Sequence, residues 1–556
     1  MPIDGKSIVK RYDTLKQNAS THFALCEQMA KYVAPSRVGI LGKRTPGQSQ
    51  MTGVFDSTSL MSSELMAQFI SSYTMNPAQQ WGAMRMRNPA FRDDDEINEW
   101  LEESRDRMLA EFANSMFYAE APESMVDWVA FGTNFLLAEE MPFGVARVPK
   151  RGFRGQRFEA VKTGRFVIAD GPDGLVDTVG REHEVTADVM VRRWGLESMP
   201  DNVTKAIKEP GGGDKPFCVI HMVYPRSFSD REFAAGNKKL PWISCWVEKE
   251  SKALLSESGY RTFPGAVARY QRTPGEVFGR GRGHLAFPDI WSLNELKRMS
   301  LEDFSFKVRP PVLVAHDSVF GTLRLVPGAA TTIQTHGLPI ESRIRPWETG
   351  SRPEITSMKE EELRKSIRQI FFVDQILQLM EVNKSEMTAF EFAKKLELLF
   401  RLLGPVYGRV EKEFLGQVWD TSFDAALSGG LFSPPPQALF ETDGEIETVF
   451  ENPISRSQRA TDVESIGLAV QDLLPLGQMF PQIWDTYDPD EMVAIVNRAR
   501  GVPAKATRSI QQREQFRNAR HQQEQSDQAL AQAGQIAEAG KNVAPLLTAL
   551  QGGKQG

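Results

Sequence analysis

The stretch PDIWSLNELKRMSLEDFSFKV, residues 288–308, followed by RPPVLV at 309–314, decides how this chain is built. Ile290, Leu293, Leu296, Leu301 and Phe304 recur at helical spacing and predict a helix with one apolar side. Arg309-Pro310-Pro311 ends it, because proline has no amide hydrogen and its ring blocks the preceding turn. Short β-type runs follow: Val312-Leu313-Val314, Leu323-Arg324-Leu325-Val326, Thr331-Thr332-Ile333 and Ile344. Ser357 with Glu360 then reads as a capping box. It opens a second long helix through Leu363, Ile367, Ile370, Phe371, Val373, Leu377 and Met380. Two long helices thus bracket a small β module, which is expected to stand off the main body on a helical stalk.

Beyond the stalk comes a polar kink, Glu381-Val382-Asn383-Lys384-Ser385-Glu386. A further helix is expected from Met387 to about Ala426, interrupted near Gly404-Pro405. Gly429-Gly430 and Pro434-Pro435-Pro436 mark a loop, and the remainder reads as helical, with Asp488-Pro489-Asp490 capping a helix that holds Met492, Val493, Ile495 and Val496. The tail from about Ser509 is rich in Gln and Ala and reads as an exposed helix or a partly disordered end. On the N-terminal side, Ile8, Tyr12, Leu15, Ala19, Phe23, Cys26, Ala30 and Val33 predict one long helix stopped by Pro35. Asp56 or Ser57 caps a second helix with Met61, Leu65, Phe69 and Tyr73. Pro122 is placed in the first turn of a helix with Met125, Trp128, Val129, Gly132 and Phe135. From about Phe143 to Gln271 strands take over, at Phe166-Val167-Ile168, 218–224 and 242–247, with a helix near Ala187–Leu196 between them.

The 556 residues suggest several domain-sized units, and 41% hydrophobic with 25% charged residues is an ordinary globular balance. A net charge of −6 argues against a protein that coats nucleic acid, which needs a basic excess. No apolar run is long enough to span a membrane, and the start of the chain carries no signal-peptide pattern. Cys26, Cys218 and Cys245 are widely spaced and read as reduced, buried thiols, not as a disulfide framework or a zinc site.

Catalytic motifs are missing. His183-Glu184 starts a zincin pattern, but Ala187 stands where the second histidine belongs. Gly279-Arg280-Gly281-Arg282-Gly283 lacks the strand, helix and later acid of a dinucleotide fingerprint. Gly42-Lys43 has Arg37 where a Walker motif needs glycine. The run Asp93-Asp94-Asp95-Glu96 could hold Mg²⁺ in a nuclease. It also precedes the helical pattern Ile97, Trp100, Leu101, Ser104, Met108, Phe112, where carboxylates favour a helix N-terminus, and capping is the better reading. No cofactor, metal or catalytic residue is expected.

Three groups of residues resemble the portal proteins, or head-to-tail connectors, of podovirus-type bacteriophages. The first is Phe55-Asp56-Ser57-Thr58 with Asn76-Pro77 and Trp81. The second is Gly279-Arg280-Gly281 with Phe287-Pro288-Asp289-Ile290 and Leu293-Asn294. The third is Met387-Thr388-Ala389-Phe390-Glu391 with Glu397, Leu403-Gly404-Pro405, Arg409 and Glu413-Phe414-Leu415. It departs from the usual pattern at Phe390, normally a small or β-branched position. The likeness runs from about residue 5 to 505.

The resemblance implies an α+β, mainly α portal fold that assembles into a ring, usually a dodecamer. Residues 1–287 would form the wing with its helices and strands, 288–308 the first stem helix, 309–352 the β-containing clip and 353–380 the second stem helix. Residues 381–386 would be the tunnel loop, 387–454 the returning wing helices, 455–508 the helical crown and 509–556 the tail. The implied function is a structural channel at one capsid vertex of the virion, made in the host cytoplasm, for packaging and ejecting double-stranded DNA without sequence specificity. Implied partners are terminase, a tail adaptor and tail proteins, and capsid and scaffolding proteins. Excess acid suits such a channel, since each phosphate contact adds affinity and a channel has to let DNA slide. The competing reading is an enzyme, a metal-dependent nuclease or a packaging ATPase, and it has no motif behind it.

Candidate site residues follow from this layout. Asn383, Lys384, Ser385 and Glu386 would face DNA in the tunnel loop. Arg508, Arg513, Arg517 and Arg520 would face it from the crown or tail, the last three on one helical face, with a solvated face balanced by Glu514 and Glu524 as the alternative. Phe320 and Trp347 would anchor docking at the clip or fill its own core. Arg298 and Lys307 with Glu360, Glu361 and Glu362 would pair between subunits or sit on solvated helix faces.

Overall fold

Helix α1, Gly5–Asn18, begins where the Asp4 side chain accepts the Lys6 amide, and α2, Ser20–Val33, follows after Ala19. The single helix expected here is therefore two. The Ala19 amide is shared between the Gln17 and Leu15 carbonyls, which tightens the turn and offsets the second helix from the first. The computed structural model describes residues 4–42, 47, 51–88, 91–92, 94–141, 153–227, 236–315, 326–333, 344–346, 350, 352–380, 395, 398–399, 402–404, 406–441, 445–450, 453–500, 502, 506, 508 and 512–526. They fall into two units. One comprises residues 1–84, 104–433 and 448–458, and the other residues 85–103, 434–447 and 459–556.

In the first unit, α3, Thr58–Thr74, buries Met66, Ala67, Phe69 and Ile70 together with Ser59, Ser62, Ser63 and Ser71, and leaves Met61 exposed. Of the expected face, Phe69 is buried and Leu65 and Tyr73 are half-buried, and Met61 alone of the four is exposed. The serines go inward because their hydroxyls bond carbonyls, Ser63 to Val33 at 2.9 Å and Ser59 to Tyr32 at 2.8 Å, so small polar residues pack here without an unpaired group. Strand β1, Gly82–Met86, precedes α4, Asp95–Asn114, and residues 85–103 of this stretch belong to the second unit. Asp94 Oδ1 accepts the Glu96 and Ile97 amides, each at 3.0 Å, and Ile97, Trp100, Leu101, Ser104, Met108 and Phe112 are all buried as their spacing predicts.

Helix α5, Phe117–Phe131, starts earlier than expected, so Pro122 lies inside it and not in its first turn. Buried Phe117, Ala121 and Met125 outweigh the one backbone bond that Pro122 removes. The helix ends at Gly132, whose φ of 84° turns the chain into β2, Thr133–Glu140, so Phe135 is in a strand and strands begin about ten residues before the expected point. Strand β2 pairs antiparallel with β3, Gln156–Val161, and with β9, Gly265–Arg269. A second, five-stranded antiparallel sheet has the order β4, Phe166–Asp170; β5, Val176–Thr186; β6, Pro216–Pro225; β7, Trp242–Glu248; and β8, Leu254–Tyr260. His183 lies on β5, which removes any zincin geometry. Helices α6, Ala187–Trp194, and α7, Asp201–Lys208, cover one end of this sheet through Met190, Val203, Phe217, Val219 and Trp246. Against α1, Glu182 collects Tyr12, Lys16, Lys249 and Cys218 at 2.7–3.1 Å.

Helix α8, Arg282–Val308, starts six residues before the expected Pro288, which sits within it. Its root is fixed by backbone contact. A Cβ on Gly132 would lie 2.2 Å from the Gly281 nitrogen, and one on Gly281 2.5 Å from the Val129 oxygen. The glycine-rich segment is thus a packing device. Strand β10, Val312–Ala315, pairs parallel with β11, Ala330–Ile333, and antiparallel with β12, Ile344–Pro346. Helix α9, Pro353–Ile370, opens with Pro353 in its first turn, not at Ser357. The Ser357 hydroxyl donates to the Glu354 carbonyl and Glu360 is engaged elsewhere, so there is no capping box. The second helix also breaks at Phe372, φ 57°, before α10, Val373–Met380. A π-turn over Val410–Leu415 leads into α11, Gly416–Ser428. Buried Arg269 meets Glu413 of that turn at 3.3 Å and Asp170 at 2.8 Å.

In the second unit, α12, Gln437–Glu441, precedes β13, Ile446–Phe450, a strand in the region read as wholly helical. Strands β13 and β1 form a two-stranded ladder. Its arginines answer its acids, Arg85 to Glu447 at 3.0 Å and Arg87 to Glu445 at 3.1 Å, and this cross-strand pairing is a signal that helical periodicity does not register. Helix α13 is Pro453–Met479 and α14 is Pro489–Arg500, the latter capped by Asp488 as expected. Residues 512–526 are helical.

Gly132→Ala should lose about 3 kcal/mol or more of stability, from a left-handed φ plus a backbone clash. Gly211→Ala, with φ 76° but open space around it, should lose only about 1 kcal/mol. Urea unfolding of both variants followed by tryptophan fluorescence measures this, and equal losses would contradict the close contact.

Candidate functional site

The antiparallel pairing of α8 with α9 around the small sheet is the feature that the sequence singled out. With 27 residues, α8 is about 40 Å long. Ile290 and Leu293 are buried near its root, but Leu301 and Phe304, expected on the same inner side, are exposed. Trp291, Met299 and Val308 are exposed as well, and on α9 so are Ile355 and Met358. Phe304 keeps 65% of its surface and Met358 73%, so apolar residues along both helices lack cover among the described residues.

A set of polar contacts bridges the two helices. Glu360 of α9 accepts from Lys297 at 3.0 Å and from the Ser300 hydroxyl at 2.6 Å, both on α8, and from Arg364 at 3.3 Å. Arg364 reaches on to Asp56 at 3.0 Å, and Ser366 donates to Asp289 at 2.6 Å. Asn294 of α8 accepts the Phe55 amide at 2.8 Å and donates to the Gly53 carbonyl at 3.2 Å. The segment before α3 is therefore tied to both long helices. Burial pushes the Glu360 carboxyl up, but the bonds from Ser300 and Lys297 and the charges of Lys297 and Arg364 outweigh it and hold it below its usual range. For Asp56, burial is likewise outweighed by bonds from Thr58 and Arg364.

Among the expected inter-subunit residues, Arg298 is paired with Glu295 at 2.9 Å and Glu302 at 2.6 Å on its own helix. Lys307 is paired with Asp303 at 3.2 Å. Glu361 faces Arg368 at 2.9 Å, Glu362 faces Lys359 at 2.7 Å, and Glu360 is buried in the network above. Sequence reasoning missed Lys297, Arg364 and Asp56 as a linked set, because their partners are far apart in the chain. Arg513 and Arg517 both lie on Asp490, at 3.9 and 2.5 Å, and Arg508 stacks 4.0 Å over Phe516. Arg520 is exposed. Asn383, Lys384, Ser385, Glu386, Phe320 and Trp347 lie outside the described residues.

Several described residues of the segments that carry the resemblance occupy junctions. Trp81 stacks on Phe112 and Phe117 and meets Trp419 edge-on at 5.1 Å, while its indole nitrogen donates to Tyr118 at 3.0 Å. Asp56, Asn294 and Glu413 make the contacts given above.

A sequence model described as bacteriophage head to tail connecting protein matches residues 5–507. A probable portal protein of Bordetella phage BPP-1 is 23% identical over 489 residues, covering 87% of this chain and 85% of that protein. A portal protein of Salmonella phage epsilon15 is 23% identical over 504 residues, covering 89% and 87%. A chain from the virion of a native gene transfer agent particle is 12% identical with a TM-score of 0.33, covering 78% of this chain and 95% of that one.

Glu360→Gln should destabilise the protein by about 2 kcal/mol at pH 7, the scale of hydrogen bonds to a charged group. Because the folded carboxyl is held below its ordinary value, its contribution is complete above that value and is lost as pH falls through the folded one. The gap between parent and variant should therefore close in acid. Unfolding midpoints at a series of pH values check this, and a gap constant with pH would contradict it.

Proposed function

This chain belongs to the family of bacteriophage head to tail connecting proteins, and on that premise we propose that it closes into a ring through which double-stranded DNA is packaged and ejected. It is a structural component of the phage particle and not an enzyme. The observation that carries the ring is the uncovered apolar surface along α8 and α9, above all Phe304 and Met358. A neighbouring copy rotated about a central axis would bury it in a head-to-tail contact that closes on itself. A dodecamer, with residues 1–287 and 387–454 as wing, 288–308 and 353–380 as stem, 309–352 as clip and 455–508 as crown, is the arrangement we assign.

In this reading Phe320 and Trp347 of the clip dock terminase and the tail adaptor, and the wing meets capsid and scaffolding proteins. Arg298, Lys307, Glu361 and Glu362 form self-contained helix-face pairs in the single chain. Each would have to change partner to pair across subunits, so the apolar residues are the stronger candidates for the contact. The tunnel loop, residues 381–386, reaches the DNA with Lys384 as its one cation. Glu386 beside it opposes tight binding, which suits sliding. The ring is assembled in the host cytoplasm and ends at the portal vertex of the virion.

Electron microscopy of the purified protein should show rings with a central hole. Phe304→Glu with Met358→Glu should shift the protein to monomers that keep the parent's far-ultraviolet circular dichroism. A parent that stays monomeric at micromolar concentration and physiological salt would refute the ring.

Lys384→Glu in an assembling phage should leave rings intact and alter DNA packaging or retention. Normal packaging and infectivity with both Lys384→Ala and Lys384→Glu would remove the loop from the function.

A further inference from the structure

His22 and Cys26 are one turn apart on α2, so their side chains share a face. His284 enters beside them from the first turn of α8. One donor atom from each of the three residues lies within 4.8 Å of the other two. Cys26 Sγ is 3.4 Å from His22 Nε2, and the His22 ring stacks on Phe278 at 4.8 Å and against His284 at 5.6 Å. We propose that His22, Cys26 and His284 form a binding site for a zinc-class divalent ion, which staples α2 to the root of α8.

The donor set supports this. One thiolate and two imidazoles suit a borderline-soft ion such as Zn²⁺, with a fourth position open to water. A neutral imidazole offers one ring-nitrogen lone pair to a metal, and the donor atoms of His22, Cys26 and His284 already lie close enough to share one ion. Burial keeps Cys26 a thiol. Binding therefore forms a metal–sulfur bond and releases the thiol proton to solvent. The other charges near the site are already paired. Arg280 lies on Glu276 at 2.6 Å, and Asp127 lies on Arg37 at 2.5 Å.

One local bond has to change. His284 Nδ1 accepts the Gly281 amide at 3.2 Å, and His284 Nε2 is buried without a partner. Whichever ring nitrogen takes the metal, the Gly281 bond is given up. If Nδ1 binds, its lone pair is used. If Nε2 binds, Nδ1 carries the ring proton. The sequence reading of inert thiols missed the site because the second histidine comes from a distant helix, so no ligand spacing appears along the chain.

The test uses the full-length, reduced protein with Co²⁺ as probe. One Co²⁺ per chain should give a thiolate-to-cobalt band in the near ultraviolet together with visible d–d bands, and Zn²⁺ should displace it. Zn²⁺ should also raise the unfolding temperature of the parent. Cys26→Ser should abolish the charge-transfer band, and His284→Gln should weaken binding at least tenfold, whereas Cys218→Ser and Cys245→Ser should leave both unchanged. Circular dichroism of the metal-free variants reports folding separately. A folded parent that gives no band with stoichiometric Co²⁺, or a band that survives in both Cys26→Ser and His284→Gln, would overturn the site. The outcome is independent of ring formation, since it is read on each chain.

Discussion

Backbone touching backbone at the root of α8 is the constraint on which the rest of the first unit depends. Gly279, Gly281 and Gly283 lie against Val129–Gly132 so closely that a Cβ at any of them would fall 2.3–2.5 Å from a carbonyl oxygen. The contact is reinforced by hydrogen bonds that need this spacing. The Gly279 amide donates to Thr133 Oγ1 at 2.8 Å, and the Tyr270 amide to the Gly132 carbonyl at 2.8 Å. The end of α5, the start of β2 and the end of β9 are thereby locked to one point, and α8 leaves the body from it. A side chain here would push the root of a 27-residue helix outward, and a lever of that length magnifies any tilt.

Side-chain periodicity was legible wherever burial is apolar. The six inward positions of α4 and the strands at 166–170, 216–225 and 242–248 follow directly from the residue pattern. Besides Leu301 and Phe304, which are exposed where the pattern places them inside, two kinds of position defeated it. Pro122 and Pro288 read as helix starts, yet each lies inside a helix. The serine face of α3 was invisible, since a buried hydroxyl that bonds a carbonyl looks the same in sequence as one in water.

Met387-Thr388-Ala389-Phe390-Glu391, Glu397 and Pro405 lie outside the described residues, and the described residues of the segments that carry the resemblance act as anchors. Asp56 holds Arg364, Asn294 holds the chain before α3, and Glu413 holds Arg269, which is only 1% exposed. Removing one partner from such a pair leaves a buried charge or amide unanswered, which costs more than the pair itself contributes. Their identity is therefore constrained by folding alone. Among the residues proposed to meet DNA or another protein, Glu360 carries such a requirement, whereas Arg298, Lys307, Glu361 and Glu362 make only exchangeable pairs on their own helices. Their roles could be read only through the family likeness, and their spacing alone left each with a structural alternative.

Charge pairing bears on how a channel could pass DNA. A phosphate contact gains affinity when a free cation displaces condensed counterions. Most arginines placed on the long helices are already committed: Arg298 to Glu295 and Glu302, Arg364 to Asp56 and Glu360, Arg368 to Glu361. Near the C-terminus, Arg513 and Arg517 share Asp490. A guanidinium on a carboxylate presents little net charge to a passing phosphate and would have to break its own pair to hold one. The acidic balance of the chain, −6 overall, thus matters less as a repulsive field than as a supply of partners for its own cations. In the proposed channel, a surface whose cations are internally answered would offer DNA only weak contacts of similar energy, and such contacts along a path would permit sliding.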